Sequence, residues 1–324
     1  MDIARLKSPL FVSWQITREC DLSCLHCCTE SGPGRSLNGE FTREEALRLA
    51  RDIIESGVPY VMLCGGEPLL VPYFFDLAEK LGEAGVQLKI ETNGQRFGLE
   101  QARRLATLPV RSVQVSLDGA TQEAYRAVRP GGSLEAAVSA CRAVREAGLP
   151  LEVAFAPSKA SIGEVSAVID QALILGAFRF NSGMLMRVGN ATRFWERLAP
   201  SEEQYREFFA TLERRELELA GRMELCYRPR SLEEALVSQL KQPPATLLVL
   251  PDGLVKVSAA LSFICADLRT QTLSRAWAAY LSAWARLKDF DPASLGLRGE
   301  ADPPPANSRA ASGAELTAPA GAAT

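Results

Sequence analysis

The chain has 324 residues, 47% of them hydrophobic and 23% charged, with a formal net charge of −3. That composition is ordinary for a soluble globular chain, and its slight acidity gives a nucleic-acid partner no electrostatic support. No run approaches the roughly 20 apolar residues of a membrane helix and the first residues carry no signal-peptide pattern, so a cytoplasmic protein with no membrane partner is expected.

A first strand is expected over residues 10–17. Thr42 and Glu45 then form a capping box for a helix on which Ala46, Leu47, Leu49, Ala50, Ile53 and Ile54 share a face, and Gly57 stops it. Residues 60–63 read as a buried strand, 73–81 as a helix, 86–90 as the third strand and 113–117 as the fourth. A long helix is expected over 134–146, ended by Gly148, followed by a fifth strand over 151–155. Ser161 and Glu164 read as the cap of another helix, and 178–180 begin a weaker sixth strand. Alternation of this kind implies a parallel sheet with right-handed crossovers. Six units are fewer than the eight of a closed barrel. The fold class expected is therefore α/β, a partial (β/α)6 TIM-like barrel; a doubly wound open sheet fits the same pattern.

The style changes after residue 195. Ser201 and Gln204 can cap a helix running to about residue 219, and Pro251-Asp252-Gly253 marks a hairpin within residues 246–257. Residues 273–287 read as a helix carrying Trp277, Tyr280 and Trp284. Three segments result: a barrel over 1–195, a small α+β C-terminal extension over 196–295, and an Ala/Pro-rich tail over 296–324 that has too little apolar content to order itself.

Four of the eight cysteines fall together in Cys20-x3-Cys24-x2-Cys27-Cys28, directly after the first strand. In a reducing compartment such clustering points to metal or to chemistry rather than to disulfides. Three thiolates can cap three irons of a cubane [4Fe–4S] cluster, which usually takes four cysteines. The fourth iron then keeps an open position, as the metal of an open zinc site does. The competing reading is a zinc knuckle. Against it stand the absence of a C-x2-C pair with a second Cys or His pair nearby, and the placement at a strand end. Cys28 is expected to be a small buried thiol, because adjacent cysteines rarely reach two corners of one cube. The single histidine, His26, excludes a His-rich metal site elsewhere.

Three further turns stand at expected strand ends. Gly65-Gly66-Glu67-Pro68 places two glycines, which let backbone approach a ligand, before a carboxylate that can accept from an ammonium group. Thr92-Asn93-Gly94 closes the third strand, and Ser116-Leu117-Asp118-Gly119 the fourth. Carboxyl-end loops of parallel strands share one face, the face on which α/β barrels place their chemistry.

CDLSCLHC, GGEP, TNG and VSLDG in this order resemble the signatures of the radical S-adenosylmethionine (SAM) superfamily over about residues 10–190. The resemblance implies a radical SAM enzyme with a [4Fe–4S] cluster on Cys20, Cys24 and Cys27 and SAM on its open iron. It also implies that His26 lines the adenine pocket, that Gly65, Gly66, Glu67 and Pro68 receive the SAM amino group, and that Thr92 and Asn93 face SAM. Ser116 and Asp118 would touch its ribose or carboxylate, with Arg129 pairing with the carboxylate or lying in solvent. One-electron reduction then cleaves SAM, and a 5′-deoxyadenosyl radical takes hydrogen from the substrate; no side-chain acid–base pair is expected to initiate the reaction.

The phrasing is most similar to the branch with a C-terminal SPASM or twitch extension, which holds peptide maturases and haem-precursor-modifying enzymes. Leu248-Val-Leu-Pro251-Asp-Gly253 resembles the hairpin of that extension, but no cysteine follows it and only Cys226 and Cys265 remain in the region. The extension is expected to have lost its auxiliary clusters, leaving one cluster in all. The implied partners are a substrate peptide or protein, or alternatively a small cofactor or natural-product precursor, and a reductant such as flavodoxin or ferredoxin. A non-catalytic protein with a structural metal is the reading of another class. Arg187, Asn190, Arg193, Arg228 and Arg230 are candidate substrate contacts, although a solvated surface position is the commoner fate of such residues; Phe194, Trp195, Trp277 and Trp284 are expected in the core more than on a substrate platform.

Overall fold

A computed structural model describes residues 3–287. The expected tail over 296–324, and the end of the expected extension, lie outside the described residues.

The first half alternates strand and helix: β1 (Phe11–Gln15), α1 (Arg43–Glu55), β2 (Tyr60–Cys64), α2 (Phe74–Glu83), β3 (Gln87–Thr92), α3 (Leu99–Leu105), β4 (Val110–Ser116), α4 (Gln122–Val128), α5 (Leu134–Glu146), β5 (Leu151–Phe155), α6 (Val165–Ile174) and β6 (Arg179–Gly183). Two short turns, α7 (Asn190–Arg193) and α8 (Trp195–Leu198), lead to α9 (Glu202–Glu218), β7 (Glu224–Arg228) and α10 (Leu232–Lys241). The chain then forms β8 (Thr246–Val249), β9 (Leu254–Lys256), β10 (Ile264–Asp267) and α11 (Leu273–Leu287).

The ten strands of the described residues make one sheet in the order β10-β9-β8-β1-β2-β3-β4-β5-β6-β7. The run from β8 through β1 to β7 is parallel, and β9 and β10 are antiparallel additions. This is the mixed α/β architecture of a partial barrel with a C-terminal antiparallel hairpin. The strands on either side of the boundary expected near residue 195 belong to the same sheet. β7 extends the β6 edge and β8 flanks β1, so the extension prolongs the barrel wall at both sides.

Local sequence explains the elements. Thr42 and Glu45 form the expected capping box, and Ala46, Leu49, Ala50 and Ile53 bury one face of α1 at helical spacing. In the central strands the side facing the helices is apolar and fully buried: Leu88 and Ile90, Val113 and Val115, Val153, Phe180. The opposite, concave side of β3–β6 is polar. Lys89 Nζ donates to Gln114 and Glu152 at 3.0 Å each, and Asn181 donates to the same two groups at 2.9 and 2.7 Å.

One expected cap is corrected. The Ser161 hydroxyl bonds with Ser158 at 2.9 Å instead of capping a helix. The Glu164 carboxylate instead accepts from Ala120 N and from Thr121, and α6 starts one residue later, at Val165. Two backbone N–H groups and a hydroxyl of the loop after β4 give this carboxylate more donors than its own helix end would.

The extension holds the segment that follows β1. The Pro251-Asp252-Gly253 turn lies on Phe41, whose N–H donates to Pro251 O at 2.9 Å. Gly253 has a φ of +84°, and a Cβ there would stand 2.4 Å from the Phe41 ring. Arg269 donates to Glu45 and to Gly39 O, at 3.0 and 2.6 Å. α11 closes this side with Trp277, Tyr280 and Trp284 buried, as expected of core aromatics, and Trp277 Nε1 donates to Leu6 O at 2.9 Å. Trp277→Ala is expected to destabilise the chain by about 3–5 kcal/mol, the usual cost of emptying a buried aromatic site; urea unfolding checks this.

Candidate functional site

The 16–42 loop after β1 carries the three cysteines and is tied down along its length. Glu40 accepts from the Thr17 hydroxyl and from the backbone of Arg18 and Leu37, at 2.8, 2.8 and 2.9 Å. Glu19 accepts from Gly34 N and from Ser36. Cys20 N donates to Gly32 O at 3.2 Å, closing the loop on itself. A second set of bonds ties it to the barrel rim: Leu25 N to Val128 O at 2.9 Å, Asn190 N to Cys27 O at 2.9 Å, and Asn190 Nδ2 to Cys24 O at 3.1 Å. Gly189, at φ +58°, lies so close that a Cβ would stand 2.5 Å from Cys27 O.

Each of the three thiols has a donor aimed at it. Asn93 Nδ2 lies 3.5 Å from Cys20 Sγ, Arg129 Nη1 3.6 Å from Cys24 Sγ, and Ser31 N 3.3 Å from Cys27 Sγ. Hydrogen bonds to ligand sulfurs are how proteins stabilise and tune iron–sulfur clusters, so this donor set fits a thiolate-ligated cluster. Among the described residues no three His, Cys, Asp or Glu side chains gather closely enough to hold a single metal ion. A cubane needs no such convergence, because it spreads its cysteines over different irons. Burial pushes the Cys20 thiol up to about 12 and the Cys24 thiol up to about 11. Both are protonated in the metal-free protein at neutral pH, and taking up iron must release those protons.

Cys28 keeps an accessible surface, but its thiol stands among Cys27, Glu91 and Lys256, and burial there pushes it up to about 12. Cys226 stands on β7 and Cys265 on β10, the two edge strands of the sheet, and neither belongs to a group of three metal-ligating side chains among the described residues.

The two glycines of Gly65-Gly66-Glu67-Pro68 are explained by the cysteine loop itself. Gly65 has a φ of +148°, and a Cβ on it would stand 2.5 Å from Thr17 O. A Cβ on Gly66 would stand 2.0 Å from Glu19 O. Gly66 N and Glu67 N donate to those same carbonyls, at 2.7 and 2.9 Å. The glycines thus let the segment leading into Cys20 lie directly on the β2 loop.

The Glu67 carboxylate is fully buried and engaged by the protein. It accepts from the Thr92 hydroxyl at 2.9 Å, from Asn93 N at 2.9 Å and from Leu69 N at 3.3 Å. Pro68 is buried behind it at the start of a short 3-10 turn. Glu67 is therefore a strut between the β2 and β3 loops, and Asn93 carries the connection on to Asp21 (2.7 Å) and Cys20. Burial pushes the Glu67 carboxyl up to about 7. An acid whose folded pKa is raised contributes stability that is present below its unfolded value, near 4.5, and is lost as pH rises through about 7. Glu67→Gln is expected to flatten the pH dependence of stability over that interval; unfolding of the metal-free protein at pH 5 and pH 8 measures it.

Ser116 ends β4, half-buried, and Asp118 follows in the buried shell. Burial alone would raise the Asp118 pKa, but the Arg129 guanidinium at 2.6 Å and the His26 imidazole at 3.0 Å hold its carboxyl well below the usual range. Its other oxygen accepts from Ala156 N at 2.8 Å. Arg129 is buried rather than solvated. His26 Nδ1 is buried and meets no partner within the protein, an orphaned atom of the kind a bound ligand would satisfy.

The structure thus brings Cys20, Cys24, Cys27, His26, Glu67, Thr92, Asn93, Asp118 and Arg129 into one connected shell at the carboxyl ends of β1–β4, with Ser116 at its edge. Of the other expected contacts, Asn190 holds the cysteine loop, Arg193 pairs with Glu30 at 3.1 Å, and Arg187 lies over the Trp195 ring. Arg228 and Arg230 are exposed, away from this shell. Sequence reasoning missed Glu19, Glu40, Gly189 and the structural part of Asn190. Only Glu19, next to Cys20, offered a signal.

Residues 14–156 match the model of the radical SAM superfamily. The chain is 30% identical over 191 residues to an AdoMet-dependent heme synthase of Methanosarcina barkeri, covering 58% of this chain and 54% of that one. It is 33% identical over 205 residues to the mycofactocin maturase MftC of Mycobacterium ulcerans, covering 61% and 53%. The chain spans about half the length of these curated relatives. Its fold is similar to Streptococcus suis SuiB bound to S-adenosylmethionine, with a TM-score of 0.72 at 14% identity over 90% of this chain and 72% of that one.

Proposed function

The chain belongs to the radical SAM superfamily through residues 14–156, and from that premise we propose that it is an enzyme that cleaves SAM reductively at one [4Fe–4S] cluster and modifies a peptide or protein substrate. The observation that carries this reading is the three-thiol loop, each sulfur with its own donor, lying on the Gly65-Gly66-Glu67-Pro68 turn. When bound, the cluster and SAM supply a carbon-centred radical able to take hydrogen from an unactivated carbon.

The chain's own residues do the rest. Cys20, Cys24 and Cys27 hold the cluster. The backbone of Gly65–Pro68 receives the SAM amino group, while Thr92, Asn93 and Ser116 face the cofactor. His26 lines the adenine side and offers its free Nδ1. Asp118 would meet the ribose or carboxylate of SAM, with Arg129 held beside it. No auxiliary cluster is assigned to the extension, since Cys226 and Cys265 are the only cysteines after residue 195, too few to hold a cubane by thiolates alone. A flavodoxin- or ferredoxin-like protein is the proposed source of the electron. Among the described residues no helix is long and apolar enough to cross a membrane.

The relatives divide between peptide maturation and haem synthesis by name. The concave wall favours a peptide. Lys89, Glu91, Gln114, Glu152 and Asn181 line it with hydrogen-bonding groups, which suit amides and side chains better than the broad apolar faces of a tetrapyrrole. The test is anaerobic reconstitution with iron and sulfide, reduction, addition of SAM, and chromatography for 5′-deoxyadenosine. Its formation is the expected result. Uptake of zinc in preference to iron, with SAM left intact, would overturn the reading.

A further inference from the structure

Among the three cysteines, only Cys24 has a charged donor. Cys20 faces the carboxamide of Asn93, and Cys27 faces the Thr29 hydroxyl and Ser31 N. Arg129 is buried, and its Nε donates to Asp118 Oδ2 at 2.6 Å while Nη1 reaches Cys24 Sγ at 3.6 Å. The position is built into the backbone. Arg129 follows α4 directly, and the residue before it, Val128, accepts the N–H of Leu25, the residue after Cys24. Asp118 is itself fixed by Ala156 N at 2.8 Å.

A buried guanidinium is costly unless it is paired and its donors are used. Asp118 supplies the pairing through Nε, which leaves the terminal nitrogens to point at the sulfur. A positive donor on a ligand sulfur stabilises the more negative, reduced form of an iron–sulfur centre and so raises its potential.

We propose that Arg129, locked by Asp118, is a positioning residue that acts on the cluster through the Cys24 sulfur and holds its reduction potential up. This rests on the reading of Cys20, Cys24 and Cys27 as cluster ligands. The step concerned is uptake of one electron by the cluster, supplied in the test by dithionite, with no bond made or broken.

The experiment is an EPR-monitored redox titration of the reconstituted chain without SAM, comparing wild type, Arg129→Met and Arg129→Lys. Iron and sulfide are assayed in each. The expected result is a downward shift of the midpoint potential in Arg129→Met and a smaller one in Arg129→Lys, which keeps the charge but cannot fork between Asp118 and sulfur. A cluster-loaded Arg129→Lys with the wild-type potential would overturn the proposal, whether or not Arg129→Met retains its cluster. So would an unchanged SAM-free potential joined to weakened SAM binding, which would give Arg129 to the cofactor instead. Failure of the wild type to take up any iron is a separate outcome and sinks the assignment of the cysteines themselves.

Discussion

Replacing any one of Cys20, Cys24 or Cys27 with alanine is expected to abolish both cluster retention and 5′-deoxyadenosine formation, whereas Cys28→Ala leaves both in place. Each of the three sulfurs has its own donor and its own stretch of anchored loop, so none can substitute for another. Cys28 is exposed beside them, but its backbone is pinned. A Cβ on Gly189 would come within 2.7 Å of Cys28 O, which leaves little room for the chain to shift and bring this thiol into the place of another ligand. Changes behind a ligand typically weaken metal binding about 10–100-fold; losing the ligand itself is expected to cost more. The check is iron and sulfide content per chain, with the visible charge-transfer band, for all four variants after identical reconstitution. Cys141→Ala serves as the control. Cys141 is buried in α5, away from the loop, so it is expected to lower stability but keep its iron. If Cys28→Ala lost the cluster and Cys27→Ala kept it, the assignment of the third ligand would be wrong.

Much of this site was legible in the sequence because its markers are local. A cysteine triad, a pair of glycines before a glutamate and a Ser-x-Asp at a strand end each occupy a few consecutive residues, and parallel strands bring such ends to one rim. The helices that were read well, α1, α5, α9 and α11, have strong caps or a sustained apolar face. The missed elements are short or polar, except α10, which went unread despite its Ser231–Glu234 capping box. α3 and α4 are only seven residues each, and β7 reads Glu-Leu-Cys-Tyr-Arg, polar because one side of it faces the concave wall and the other is an edge. What each charged group does could not be read locally. Glu67 looks free to take an ammonium group, yet it is used up by donors from two loops 25 residues and more away in the chain for Thr92 and Asn93. Arg129 looks equally suited to solvent, and only the fold places Asp118 and Cys24 against it.

Gly66→Ala is expected to cost about 3 kcal/mol or more, at the upper end of what overpacking a tight interior costs, and to release the cluster as well. The added methyl would stand 2.0 Å from Glu19 O, 2.6 Å from Glu19 C and 3.0 Å from Arg18 C. All three are backbone atoms, which cannot turn aside as the end of a flexible side chain can. The hydrogen bonds from Gly66 N to Thr17 O and from Glu67 N to Glu19 O hold the two segments in that contact. Relief therefore requires residues 18–19 to lift away, and the next residue is Cys20. Stability and iron binding should fall together, which unfolding curves and iron assays on the same preparation will show. Gly163→Ala is the control: its Cβ would meet nothing within 4 Å, its backbone is not left-handed, and neither property should change. A Gly66→Ala protein of ordinary stability and full iron content would mean that the loop does not rest on the turn as described. The expected outcome carries a wider point about the motif. Two glycines before a glutamate are read as room for a ligand, but at Gly65 and Gly66 the space a side chain would take is already filled by the chain's own cysteine loop. Any contact these residues make with SAM is then made by a backbone whose position the cysteine loop helps to set, so the cofactor site and the cluster site are one assembly.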